Sequence, residues 1–255
     1  MAVVDINSIK LTVLYDNTRA SSNLLPGWGF SILVEASGRK ILVDTGADIM
    51  ILEHNMEKLK IKPKEIDMLF LTHRHCDHIG ALSAILSNKK KGLRVCIPDS
   101  FCHDIKERIE VSKAEIVIVR REEELLKNVY TTGELAGEYL GIKIAEQSML
   151  LNTNEGIVVI AGCAHSKIEN IVKKAKELFG NRILLAVGGF HLSNKKKREV
   201  EETITFLDPL VDKIAPTHCT GKKAMELFSS CFKDRFISCG VGKVISPAEI
   251  GLLTG

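Results

Sequence analysis

The sequence has one tryptophan and three tyrosines, and aromatic side chains make up only 5% of its 255 residues. Proteins that hold single-stranded nucleic acid stack bases on aromatic rings along a basic track, and a formal charge of +3 supplies no such track. Composition therefore counts against nucleic acid as a partner. Long apolar runs are also missing. "ILLAVGGF" is among the longest, well short of the roughly 20 residues that a membrane-spanning helix needs. The opening "MAVVDINSIK" carries an acid at Asp5 and no basic-then-apolar order, so no signal peptide is expected. Seven cysteines, an odd number with no C-x-x-C pair, exclude a disulfide framework and fit a reducing compartment. A cytoplasmic protein without a membrane partner is the expectation, and its oligomeric state is not legible.

What is present is an ordinary globular composition: 45% hydrophobic, 26% charged, mean hydropathy +0.08. Neither a low-complexity segment nor a linker cuts the chain, so one domain over residues 1–255 is expected. Short β-branched runs alternate with amphipathic stretches, the pattern of an α/β domain. Strands are predicted in "FSILVEA", "KILVDTG", "MLFLTH", "LRVCIP", "EIVIV", "GIVVIAG" and "RILLAVGG", with a hairpin turning at Asn154-Glu155-Gly156. The apolar spacing of "IGALSAIL" suggests a helix. A further helix is predicted from a Ser166/Glu169 capping box, with a buried stripe of Ile168, Ile171, Val172, Ala175, Leu178 and Phe179, ending at Gly180. Another should begin after Ser193 or Asn194, with Val200, Ile204 and Leu207 inward. The basic clusters Lys89–Lys91 and Lys195–Arg198 read first as solvated turns or helix starts, and otherwise as a phosphate-attracting rim.

Histidine accounts for only 8 residues, yet "LTHRHCDHIGAL" places His73, His75, Asp77 and His78 within six positions. His73, His165, His191 and His218 each end a predicted strand or apolar run, as does Asp44. Ligand sites in α/β folds gather at the carboxyl ends of strands, so these groups should converge. In an extended segment His73 and His75 point to one side, and the chain then turns at Asp77 and His78. Two imidazoles from one arm and a carboxylate–imidazole pair from the next turn can surround two cations. Such donors suit zinc, iron or manganese.

The stretch "THRHCDH" resembles the H-x-H-x-D-H signature of the metallo-β-lactamase fold superfamily, and "GWGFSILVEASGRKILVDTG" looks like its opening strands, with Asp44 in the D-T-G turn. "YTTGEL", "GIVVIAGCAHSKIENIV", "VGGFHL" and "APTHCTG" are similar to its dihydropterin synthase-like branch, so the motifs cover about residues 27 to 221. The resemblance implies a four-layer αββα sandwich of two mixed sheets. It implies two divalent metals, zinc first, held by His73, His75 and His165 and by Asp77, His78 and His218, with Asp44 orienting the ligand loop. It also implies a small phosphorylated substrate: the branch includes an enzyme of methanopterin biosynthesis that joins a dihydropterin-methyl diphosphate to a ribofuranosyl-aminobenzene phosphate and releases pyrophosphate.

One position departs from the pattern. Hydrolytic members usually carry a bridging aspartate between the last two histidines, and here that place holds His191, which cannot bridge as a carboxylate does. His191 could bind one metal, or face the substrate as a proton donor or phosphate contact, or signal that the alignment is displaced. The substrate-facing role is favoured, which makes Asp77 and His191 the expected catalytic residues. Cys76, Cys163 and Cys219 lie within two residues of expected ligands; small buried neighbours are the favoured reading, and metal ligation, which the resemblance allows because some metallo-β-lactamases use cysteine, is the alternative, while Cys96, Cys102, Cys231 and Cys239 read as core. The paired Gly188-Gly189 would let backbone approach the site. A metal-dependent transferase on a phosphorylated pterin-like substrate is the leading expectation. A metal-dependent hydrolase of a phosphoester, lactone or thioester, and a non-catalytic metal-binding or sensing protein, are the alternatives.

Overall fold

Alternate residues of the apolar runs face opposite ways, and the computed structural model, which describes residues 3–251, buries both faces of the central strands of its two large sheets. The first half of the chain runs β1 (Lys10–Tyr15), β2 (Ser31–Ala36), β3 (Arg39–Val43), α1 (Ile49–Lys58), β4 (Met68–Phe70), α2 (Cys76–Ile79), α3 (Leu82–Ser87), β5 (Arg94–Pro98), α4 (His103–Val111) and β6 (Glu115–Val119). Then come β7 (Arg121–Leu126), β8 (Val129–Gly133), β9 (Leu135–Tyr139), β10 (Ile142–Glu146), β11 (Met149–Asn152) and β12 (Ile157–Ala161). The last part runs α5 (Ile168–Phe179), β13 (Ile183–Gly189), α6 (Lys197–Leu207), β14 (Val211–Thr217), α7 (Lys222–Phe232), β15 (Val244–Ile245) and α8 (Pro247–Ile250). The outermost residues of the expected 1–255 domain, 1–2 and 252–255, lie outside the described residues.

Two mixed sheets result. One has the order β15-β1-β2-β3-β4-β5-β6, parallel from β3 to β6; the other has the order β14-β13-β12-β11-β8-β7, parallel from β12 to β14. Their facing sides share one apolar core: Ile32, Val43 and Phe70 from the first meet Leu151, Val158, Ile160 and Val187 from the second. Leu33, Leu42 and Leu69, one residue out of phase, pack under α1, α3 and α4. Val159 and Ala161 pack under α5, α6 and α7. Helices thus cover both outer faces, which is the αββα sandwich.

Several local expectations change. The Ser166/Glu169 capping box does not form. The Ser166 N–H (2.8 Å) and hydroxyl (2.6 Å) instead donate to the buried Glu146 carboxylate, Lys167 occupies the N-cap with φ 73°, and Glu169 accepts from Thr203 Oγ1. A buried charge outbids a helix end for the same hydroxyl. The "IGALSAIL" helix is broken into α2 and α3 at Gly80, where an added Cβ would stand 2.1 Å from the Ala47 carbonyl oxygen. The helix expected after Ser193 starts later, at Lys197, with Val200, Ile204 and Leu207 buried as expected. Cys76, Cys102 and Cys231 are exposed rather than buried. Among the strands that the sequence does not announce, β7, β9 and β10 are largely exposed; β7 edges the second sheet beside the buried β8, and β9 and β10 stand apart as a two-stranded hairpin.

Candidate metal centre

Five strand ends converge at one edge of the sandwich. Asp44 follows β3, His73 and His75 follow β4, and Asp77 and His78 sit in α2; His165, His191 and His218 follow β12, β13 and β14. The ligating atoms of His73, His75 and His165 lie within 4.8 Å of one another, and so do those of Asp77, His78 and His218. The two triads adjoin, with the rings of His73 and His78 4.1 Å apart between centroids. All six expected ligands therefore come together, in the grouping that the resemblance implies.

Hydrogen bonds aim these rings. Asp44, wholly buried, accepts from the Thr72 N–H (2.8 Å), the Thr72 hydroxyl (2.7 Å) and His78 Nδ1 (2.6 Å). Because that hydroxyl donates to Asp44, it can only accept from His73 Nδ1 at 3.0 Å. One carboxylate thus fixes the Nδ1–H form of both rings and leaves both Nε2 atoms turned inward as lone pairs. His218 is set in the same way. Asn17 Oδ1 already accepts the Gly29 N–H, so it also accepts His218 Nδ1–H at 3.1 Å, while Asp16 holds the Thr217 hydroxyl and the His218 N–H. Glu146 takes the His165 N–H at 2.9 Å. Backbone strain concentrates here too: Asp44, Ala164, Lys167, His191 and His218 all have positive φ.

The donor set fits a cation. His218 Nε2 faces Asp77 Oδ2 across 3.3 Å with no hydrogen-bond partner, and both His165 nitrogens and His191 Nδ1 are likewise buried without one. A buried imidazole nitrogen facing a half-buried carboxylate oxygen at that distance is favourable only with a proton or a metal ion between them. Burial, then the neighbouring histidines, pushes His73 well below the usual imidazole value; burial also lowers His75, and His165 falls to about 3. Burial would raise Asp77, but the nearby His218 and His78 hold its carboxyl well below the carboxylate range. For His78, burial lowers the value, and the charge and hydrogen bond of Asp44 outweigh it and leave it raised. Neutral imidazoles beside an ionised carboxylate are the forms that bind metal.

His191 lies 4.4 Å from His165 between ring centroids, and its ligating atom groups with those of Cys163 and His165. It also lines a cleft of about 380 Å³ shared with His165, Glu138, Lys167 and Lys195. On the other side of the β9–β10 hairpin, a smaller cleft of about 250 Å³ is lined by Arg74, His75 and Tyr139. The basic run after His191 is not a free phosphate rim. Lys195, Lys197 and Arg198 pair along α6 with Glu199, Glu201 and Glu202, so the solvated helix start describes it, and of the three only Lys195 lines the larger cleft.

Sequence patterns missed five participants, two of them an adjacent pair. Tyr139 presses its ring on His75, His165 and His191, and the exposed Trp28 lies 5.1 Å from His218. Glu146 is buried beneath His165. The Asp16–Asn17 pair follows the β1 strand, so the strand-end rule that picked out His73 could have found it. Nothing in spacing marks the other three.

The fold is that of the metallo-β-lactamase fold proteins, and the family model of the metallo-β-lactamase superfamily matches residues 26–143. Among characterised relatives, the 7,8-dihydropterin-6-methyl-4-(β-D-ribofuranosyl)-aminobenzene-5'-phosphate synthase of Methanocaldococcus jannaschii is 28% identical over 96% of this chain and 99% of its own. The crystal structure of Tm1679, a metal-dependent hydrolase of the β-lactamase superfamily, is also 28% identical and covers 93% of this chain and 98% of its own with a TM-score of 0.78. The short form of human tRNase Z shares the fold at 16% identity, with a TM-score of 0.61 over 93% and 98% of the two chains.

Proposed function

We propose that this protein is a metal-dependent enzyme that transfers a dihydropterin-methyl group from its diphosphate ester to a phosphorylated ribofuranosyl-aminobenzene, releasing pyrophosphate. The metal dependence rests on one observation, the unpartnered Nε2 of His218 facing Asp77 Oδ2 in a buried site. The substrate class rests on the end-to-end likeness to the synthase. His73, His75 and His165 would hold one divalent ion and Asp77, His78 and His218 a second, zinc being the first choice for nitrogen with carboxylate oxygen. Such ions supply positive charge that neutralises a leaving diphosphate.

The residues themselves divide the remaining work. Asp44 and Asn17 hold the ring tautomers, and Glu146 holds the His165 loop. The exposed rings of Trp28, beside His218, and Tyr139, beside His75 and His165, offer faces that suit stacking of a flat pterin. Lys167 lines one cleft and Arg74 the other, which suits phosphates at the two ends of the substrate pair. As the carbon–oxygen bond to the diphosphate breaks, the electron pair leaves with it and the acceptor forms the new bond. The acceptor then loses a proton, for which His191 in the larger cleft is the receiver.

Pyrophosphate release by metal-reconstituted protein, with and without the aminobenzene acceptor, tests this reading. Acceptor-dependent release that disappears in His75→Ala is expected. Acceptor-independent release would favour the hydrolase, a reading to which the likeness to Tm1679 gives some weight. Metal binding without turnover on either substrate would favour the sensing protein.

A further inference from the structure

Two dications held by six imidazole and carboxylate ligands would meet only one protein anion, Asp77, since the end of β13 carries the neutral ligand type His191. A second anion lies at hand. Cys163 is buried, and its Sγ is 3.1 Å from His78 Nε2. It forms groups within 4.8 Å with His73 and His78, with His165 and His191, and with His218 and Cys219, so it faces both triads at once. Asp44 accepts the Nδ1–H of His78, so the nitrogen turned to the sulfur is the one available to a metal. Gly162 makes the approach possible, because an added Cβ there would stand 2.2 Å from the Thr72 hydroxyl oxygen.

Cys219 is the obvious rival. Its thiol is directed to the Cys163 carbonyl oxygen at 3.6 Å, and it joins only the group that contains Cys163 and His218. Cys76 is exposed and joins none of these groups among the described residues.

We propose that Cys163 is a thiolate ligand of the metal centre, with its sulfur between the two triads and supplying the anionic contact that His191 cannot. The inference rests on the metal-centre reading and extends it to a ligand outside the H-x-H-x-D-H pattern. On binding, the thiol proton passes to solvent and a sulfur lone pair forms the metal–sulfur bond, with no change of oxidation state.

X-ray absorption at the zinc edge of the full-length zinc-loaded protein decides it, because zinc–sulfur scattering falls at about 2.3 Å and zinc–nitrogen at about 2.0–2.1 Å. The expected result is a sulfur shell in the wild type, kept in Cys219→Ser and Cys76→Ser and lost in Cys163→Ser. A thiolate-to-cobalt charge-transfer band in the cobalt-loaded protein should follow the same order. Should Cys163→Ser not fold, the wild type with the other two variants still assigns the sulfur. A nitrogen and oxygen shell alone on bound zinc overturns the cysteine ligand and leaves the metal centre standing. A sulfur shell that disappears with Cys219 or Cys76 moves the ligand elsewhere, and failure to bind zinc at all defeats both readings.

Discussion

A single buried carboxylate sets two ligands at once. Asp44 takes Nδ1–H of His78 directly and that of His73 through the Thr72 hydroxyl, one ring in each triad. Asp44→Asn keeps the volume but puts an amide donor against two groups that already donate. Metal affinity should fall by about 10–100-fold, the usual loss when a ligand's outer partner is removed. Thr72→Val frees only His73 and should cost less. Competition with a chelating dye measures both, and an Asp44→Asn affinity equal to the wild type would remove Asp44 from this role. At this scale the clustering of the six expected ligands and His191 was legible because their spacing and strand-end positions are unusual. Glu146, Tyr139 and Trp28 were not, because a lone acid or ring becomes part of a site only through contacts across the sandwich. Cys163 read as a small buried neighbour, and its sulfur points inward only because the Gly162–Ala164 loop turns there.

Elements carry the site through their ends and through one hairpin. The β9–β10 hairpin leans on the His165 loop at Gly137, where an added Cβ would stand 2.6 Å from the His165 carbonyl carbon and 2.8 Å from its Cβ. Gly137→Val should push Tyr139 and His165 apart while the two large sheets keep their packing. The expected outcome is a raised KM and weakened metal retention. The fall in Tm should stay within about 4 °C, or about 1 kcal/mol for a chain of this size. A large loss of stability with unchanged kinetics would show that the hairpin supports the fold rather than the site. Strands whose apolar residues are nearly continuous, such as β12 and β13, were readable because they are buried on both faces. β7, with the sequence REEELL, was not, because its exposed face offers no apolar alternation, and its place comes from pairing with β8.

On the scale of the whole molecule, the site lies on the seam between the sheets. His73, His75, Asp77 and His78 come from the first sheet's loops and His165, His191 and His218 from the second's, so a bound metal ties the two halves together. Free metal at 100 times its Kd would add about 2.7 kcal/mol, a Tm gain of roughly 5–10 °C at about 2–4 °C per kcal/mol. That gain should depend on pH in a definite direction. In the metal-free protein His73, His75 and His165 are lowered, His165 to about 3, so the unfolded chain binds more protons than the folded one below the ordinary histidine value of 6.5. Stability therefore falls as pH drops below that value, and Asp77, also lowered, adds to the loss once pH falls below the ordinary aspartate value of 3.8. His78 is raised and acts oppositely, its contribution being present at low pH and lost as pH rises through its folded value, but it is one group against three. Protons and metal compete for the same nitrogens. The difference in Tm between metal-loaded and chelator-treated protein should therefore begin to shrink as pH falls through the raised value of His78, while the part carried by His73, His75 and His165 persists until pH approaches the value of about 3 of His165. Scanning both forms across that range measures it, and a metal-dependent rise that persists undiminished in acid would mean that the ion binds somewhere other than these histidines.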